Sequence, residues 1–240
     1  MQRIFHTPEG VRDIYSQECS RKQKLQEKLH RVFHQYGFED IETPTFEYFE
    51  VFSKEVGTIP SRELYKFFDR EGNTLVLRPD FTPSVSRACA TYFNPEKEVV
   101  SLCYTGNTFI NNSSFRGRLK ETTQMGVERM GDDSPEADAE ILAMTVECLL
   151  ATGLTEFQVS VGQVDYYKAI FAQTGLSQEE EEELRELISQ KNYFGVEELV
   201  KNKNMDKSLA RVLSQLPQMF GSTEVLEKAK SLTDNPQALK

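Results

Sequence analysis

The sequence predicts an α+β protein: an antiparallel sheet flanked by helices, followed by a helical C-terminal segment. Three observations predict it. Val99 to Gly131 reads as two antiparallel strands joined by a polar loop, because Gln124, Gly126 and Glu128 alternate with Met125 and Val127 along the second strand. Leu25, Leu29, Val32, Phe33 and Tyr36 recur at three and four residues, the spacing of a helix with one buried face. Beyond Gly175 the pattern turns wholly helical, with no clear strand.

Each element follows from local chemistry. Residues 1–15 are an extended lead-in containing Pro8 and Gly10, and the first helix runs from about Ser16 to Tyr36, with Gly37 as its stop. Phe38 to Ile41 is a short strand ending before Pro44. Thr45 to Phe52 begins another short helix, its Phe46, Phe49 and Phe52 forming a packing stripe. Leu64 to Asp69 and Thr74 to Leu77 flank Arg70-Glu71-Gly72-Asn73 and read as a hairpin. The chain turns at Pro79 and enters a helix near Thr82, where Pro83 suits the first turn. After the long hairpin, Ser134 caps a helix from Pro135 to Thr152, and Glu136 and Asp138 complement its positive end. Phe157 to Val161 reads as a strand and Val164 to Thr174 as a helix. In the tail, Ser177 to Glu180 form a capping box, and the run Glu179 to Glu183 is a solvated first helical turn. Gly195, Pro217 and Gly221 divide the tail into short helices. A boundary near residue 175 separates a core, 1–175, from a helical subdomain, 176–240.

Composition narrows the function. The 240 residues carry a net charge of -10, which disfavours nonspecific nucleic-acid binding, since that depends on Lys and Arg neutralising phosphates. Cys19, Cys89, Cys103 and Cys148 are far apart and form no CxxC, and the three histidines are not spaced against a cysteine, so no metal site is expected. Dispersed thiols, the lack of an apolar N-terminal segment and the lack of a membrane-spanning stretch predict a cytoplasmic location.

Four polar residues can converge: Asp80 and Thr82 at a strand-to-helix corner, Gln124 and Glu128 on the long hairpin. Two carboxylates, an amide and a hydroxyl suit an ammonium group, whose three donors need acceptors and a compensating charge. A set of unrelated surface polar groups would look the same in sequence. Arg116 and Arg118, with Lys120, make the end of the hairpin loop basic; a solvated tip and an anion contact are both open readings.

Several motifs, in order and spacing, resemble the catalytic core of the histidyl-tRNA synthetases, class II aminoacyl-tRNA synthetases. TPEGVRDI is similar to the N-terminal signature of that family. YGFEDIETP looks like class II motif 1, which implies that Pro44 lies at a dimer interface. LRPDFT resembles the family's LRPEGT, Leu102 to Gly131 aligns with motif 2 without a gap, and PEADAE resembles PDxDAE. The resemblance covers residues 1 to about 170 and implies a class II synthetase-like sheet.

The departures shape the expected function. In the synthetases the first motif 2 strand carries an Arg-x-Glu whose arginine grips the ATP α-phosphate; here Ile110 and Asn112 stand at those positions. Isoleucine cannot stabilise charge on a phosphoryl group, and losing such a contact is worth roughly a hundredfold or more in rate. The residues that bind substrate histidine in the family match Asp80, Thr82, Gln124 and Glu128, with Asp80 in place of a glutamate. A lost ATP grip beside a kept amino-acid pocket resembles the family of ATP phosphoribosyltransferase regulatory subunits. That resemblance implies a non-catalytic chain without cofactor, required by a short-form catalytic subunit in the first step of histidine biosynthesis. It further implies feedback inhibition by histidine and a homodimer within a hetero-oligomer, with no role for tRNA or membrane. The competing expectations are a divergent synthetase that uses Arg116 or Arg118 in place of the missing arginine, and a synthetase-like scaffold that binds no ligand. Class II motif 3 and the RGLDYYTG-like segment do not occur within the sequence, so both are expected after residue 240 and the chain is expected to be truncated.

Overall fold

The long hairpin is the centre of the first unit. The computed structural model describes residues 5–53, 59–112, 117–162, 164–203 and 205–239. Strands β5 (Val100–Phe109) and β6 (Glu121–Met130) pair antiparallel in unbroken register, with Leu102 opposite Glu128, Tyr104 opposite Gly126 and Gly106 opposite Gln124. Strand β1 (Glu39–Asp40) joins β5 in parallel, giving the order β1-β5-β6. A second small sheet has the order β2-β4-β3, from β2 (Phe46–Tyr48), β3 (Lys66–Phe68) and β4 (Thr74–Leu77).

Directly opposed residues share a sheet face, so the hairpin has two distinct sides. One side carries Val100, Leu102 and Tyr104 against Phe81, Val85 and Cys89 of the α3 region; α3 spans Thr82–Tyr92. The other side carries Cys103, Met125 and Val127 against α1 (Ser16–Gln35) and α4 (Pro135–Thr152), through Val32, Phe33 and Met144. Val85 is fully buried, and burying a side chain of that size stabilises by about 1.5–3 kcal/mol. The predicted cap of α4 is present: the Ser134 hydroxyl accepts from the Ala137 N–H at 3.2 Å. Gly131 ends β6 at φ +90°, and a Cβ there would stand 2.5 Å from the Pro95 carbonyl oxygen, so both the turn and its close backbone contact require glycine.

The second unit is helical: α5 (Val164–Phe171), α6 (Gln178–Ser189), α7 (Tyr193–Asn202), α8 (Lys207–Gln215) and α9 (Glu224–Leu232). Ile170, Leu184, Val196, Leu213 and Leu216 form its buried core. The capping box at Ser177 and Glu180 is present in both directions. Among the described residues, no helix is long and apolar enough to cross a membrane.

Four local expectations differ from the structure. The segment 45–52 is not one helix: β2 comes first, and α2 (Phe49–Ser53) follows. Phe46 is therefore half exposed on a strand while Phe52 is buried from the helix, so the aromatic stripe is split. Phe157 to Val161 alternates like a strand, yet it pairs with no described strand and is exposed throughout. Gly195 does not break the tail; it lies in the first turn of α7, where Asn192 accepts its N–H at 3.0 Å. The chain divides into its two compact units between Gln158 and Val159, where the sequence suggests 175. The physical reason is α5, whose Ile170 and Phe171 belong to the helical core.

Candidate functional site

The four predicted residues do come together, on the α3 side of the hairpin. Strand alternation turns Gln124 and Glu128 to the face that α3 covers, and Asp80 and Thr82 meet them from the corner leading into that helix. Thr82 Oγ1 donates to Glu128 Oε1 at 2.6 Å, and Gln124 Nε2 donates to Asp80 Oδ1 at 3.0 Å. The Phe81 N–H also donates to Asp80 Oδ1, at 2.7 Å. The hydroxyl and amide thus orient the carboxylates. Among the described residues these bonds fall on one oxygen of each acid, so Asp80 Oδ2 and Glu128 Oε2 remain to accept from a ligand.

Tyr104 is a further member that residue patterning did not single out. Its hydroxyl donates to Glu128 Oε1 at 3.4 Å, and its ring stacks on Phe81 with centroids 4.3 Å apart and planes 7° from parallel. Gly126 makes room for it: a Cβ at Gly126 would come within 2.6 Å of Tyr104 Cζ. The available signal was the glycine on the polar face of β6, opposite an aromatic residue in the natural hairpin register.

Arg78 holds the corner. This buried side chain donates from Nε to the Asn107 carbonyl at 2.9 Å and from Nη1 to the Thr43 carbonyl at 2.8 Å. Its guanidinium lies 4.0 Å from the centre of the Phe81 ring. A Cβ at Gly106 would meet Arg78 Nη2 at 2.5 Å, so that glycine leaves the space through which the arginine reaches. Lining up β5, the β1–β2 connection and the α3 corner in this way fixes where Asp80 stands. Arg78 sits two residues before Asp80 in the same motif, but its role as a three-way anchor depends on backbone carbonyls distant in sequence.

The electrostatics favour a cationic ligand. Burial is the main force raising the Glu128 carboxyl above its ordinary range, and nearby Asp80 adds to it, while Thr82 and Tyr104 pull the other way by hydrogen bonding. Burial also raises the Tyr104 phenol, with Glu128 and Asp80 adding to it, so its hydroxyl stays protonated as a donor. An ammonium placed against the free oxygens would offset the burial and the neighbouring Asp80 charge that raise Glu128.

The other predicted positions are dispersed. Ile110 contributes a backbone N–H to the Lys120 carbonyl at 2.9 Å, and Asn112 Nδ2 donates to the Leu119 carbonyl at 3.3 Å. Neither presents a cation. Arg118 is exposed, in a shallow 200 Å³ cleft formed with Glu9, Gly10 and Val11; Arg116 lies outside the described residues. A larger cleft of about 500 Å³ lies between the start of α1 and the hairpin and does not include the acidic cluster. Pro44 is exposed at the entry to β2, whose Phe46 and Tyr48 are also exposed. The expectation that no metal-ligating set exists rested on chain spacing. The fold instead places donor atoms of His30, His34, Asp40 and Cys103 within 4.8 Å of one another.

Comparison with known proteins agrees with this architecture. The family model for histidyl-tRNA synthetase matches residues 10–240. The ATP phosphoribosyltransferase regulatory subunit of Acetivibrio thermocellus is 41% identical over 98% of this chain, and that of Ruminiclostridium cellulolyticum is 39% identical over the same share. The chain spans 56% of the length of each of these curated relatives. The crystal structure of an ATP phosphoribosyltransferase regulatory subunit/histidyl-tRNA synthetase from Bacillus halodurans superposes with a TM-score of 0.86. It has 30% sequence identity, and the match covers 99% of this chain and 62% of that one.

Proposed function

The chain belongs to the histidyl-tRNA synthetase family, and we propose that within it the protein is a non-catalytic regulatory subunit of ATP phosphoribosyltransferase that binds L-histidine. The observation that carries this reading is the pairing of an assembled acidic pocket with an uncharged residue at the adenylation position. Thr82 and Tyr104 hydrogen-bond Glu128, and Gln124 hydrogen-bonds Asp80, so the two acids stand side by side, each held by its own donors. Ile110 offers no charge to an α-phosphate. The names of the regulatory-subunit relatives support the same reading.

In this reading the histidine ammonium bonds the free oxygens of Asp80 and Glu128. The charge of the ligand compensates the two acids, and the oriented carboxylates select an amine over a neutral group. The protein acts in the cytoplasm with a short-form catalytic subunit that requires it, transmits feedback inhibition by histidine, and binds no tRNA. The exposed surface around Pro44, Phe46 and Tyr48 forms the homodimer contact. Arg118, together with Arg116, is the candidate anion contact.

The test is reconstitution of the full-length protein with a short-form catalytic subunit. Co-purification and histidine-sensitive phosphoribosyltransferase activity are expected. Failure to associate, or activity indifferent to the protein, overturns the proposal. Histidine-dependent ATP–pyrophosphate exchange by the full-length protein alone would instead favour a divergent synthetase.

A further inference from the structure

On the side of the hairpin away from the acidic pocket, three elements converge that the proposed function does not use. His30 and His34 stand one turn apart on α1, so their rings project from the same helix face, with centroids 4.3 Å apart. Asp40 comes from β1 and Cys103 from β5, and their neighbouring strands are in register. Asp40 lies at the middle of the group. His30 Nε2 is 2.5 Å from its Oδ1, His34 Nε2 is 3.0 Å from its Oδ2, and the Cys103 thiol donates to Oδ1 at 3.4 Å.

We propose that His30, His34, Asp40 and Cys103 form a binding site for a zinc-class divalent transition-metal ion.

The donor set is the first argument. Two imidazoles, one thiol and one carboxylate match the nitrogen, sulfur and oxygen ligands of tetrahedral zinc, whereas calcium and magnesium take oxygen. Geometry is the second. Bonds of about 2.0–2.3 Å in a tetrahedron place donors about 3.3–3.8 Å apart. The four donor atoms all lie within 4.8 Å of one another, so small side-chain rotations bring them into range. Access is the third. Cys103 is buried at the base, while the side chains of His34 and Asp40 are 47% and 56% exposed at the mouth. An ion can therefore enter from solvent and meet a thiol held in place by packing. On binding, the sulfur forms a bond to the metal and its proton passes to solvent. The site would tie α1, β1 and β5 together at the base of the sheet.

The experiment uses the chain stripped of metal with a chelator, then titrated with Zn²⁺ and, separately, with Co²⁺ as a spectroscopic probe. One Zn²⁺ per chain and a higher unfolding temperature with Zn²⁺ are expected. Co²⁺ should give intense tetrahedral visible bands with a near-ultraviolet sulfur-to-cobalt charge-transfer band. Cys103→Ser removes the charge-transfer band. His34→Ala alters an exposed side chain and spares the core. Outer-shell changes alone typically weaken metal sites 10–100-fold, so loss of this ligand is expected to weaken Zn²⁺ binding on the order of 100-fold. Zn²⁺ binding that is absent, or equally strong in His34→Ala, overturns the proposal, as does a Co²⁺ spectrum without the sulfur band. This outcome is independent of histidine binding and of the catalytic partner.

Discussion

The two faces of the β5–β6 hairpin are built from alternate residues of the same strands; both bury apolar residues of β5, and they differ in what β6 contributes. Toward α3, Gln124 and Glu128 join Asp80 and Thr82 in a polar cluster beside the stacked rings of Phe81 and Tyr104. Toward α1 and α4, Met125 and Val127 pack on Val32, Phe33 and Met144. The first face keeps two carboxylates in a partly desolvated space, a cost tolerable only beside a stabilising apolar layer. Both faces supply such a layer, Val100 and Leu102 on the first and Met125 and Val127 on the second. Along β6 the polar and the packing side chains are thus one residue of register apart, and a one-residue slip would exchange them.

Met144→Ala tests the packed face and has the largest expected effect. Met144 is buried, and truncation there should lower stability by about 2–5 kcal/mol in urea unfolding, with histidine affinity little changed in the folded fraction. A neutral result would show that the α4 contact is not what supports the sheet. Glu128→Gln tests the other face. Removing the carboxylate should reduce histidine affinity roughly 100-fold by calorimetry on the full-length protein, equivalent to about 2.7 kcal/mol. Its stability should hold or rise, because a half-buried charge has been removed. Unchanged histidine affinity would remove Glu128 from the site.

Gly126→Ala is expected to have a smaller effect and touches the hairpin between the two faces. The added methyl meets the Tyr104 ring, and overpacking of this kind should destabilise by about 1–3 kcal/mol, measured by thermal unfolding. Since the displaced ring also contacts Glu128, histidine binding should weaken with it.

The smallest effect is on pH dependence. Glu128 is raised in the folded state, chiefly by burial, from an ordinary value of 4.5. The unfolded chain therefore releases this proton first, and the contribution of Glu128 to stability falls as pH rises from below 4.5 through its raised native value, then levels off. Glu128→Gln should lack that component in unfolding curves taken from about pH 4 to about pH 8. Histidine, by favouring the ionised form, should bind with proton release and tighten over the same rise. Identical pH profiles for the two proteins would mean that Glu128 is not desolvated.

Much of the fold was legible because its signals are local. The period-two pattern of Gln124, Gly126 and Glu128 describes a real strand face, and Ser134 and Ser177 cap the helices they precede. Phe46, Phe49 and Phe52 fit helical spacing across 45–52, yet Phe46 pairs across to Leu77 and the sheet prevails there. Phe157 to Val161 has the alternation of a strand, but alternation alone supplies no ladder partner.

The candidate site divides the same way. Its four polar residues were visible as types and positions, and their motifs placed them together. Tyr104 and Arg78 were not, since their partners are a side chain across the hairpin and backbone carbonyls from separate segments. The metal-donor cluster is invisible in the sequence for a related reason. Cys103 is far from His30 and His34 along the chain, and only the parallel pairing of β1 with β5 brings Asp40 and Cys103 to the face of α1.

The sequence by itself determined which residues alternate, where helices begin, and which chemistry stands at Asp80, Glu128 and Ile110. These properties depend on neighbours a few positions away. The tertiary structure decided what covers each side of the hairpin, how Arg78 and Tyr104 support the polar cluster, and that four scattered donors meet. Those outcomes depend on register and helix placement, which arise from contacts between residues distant in the chain.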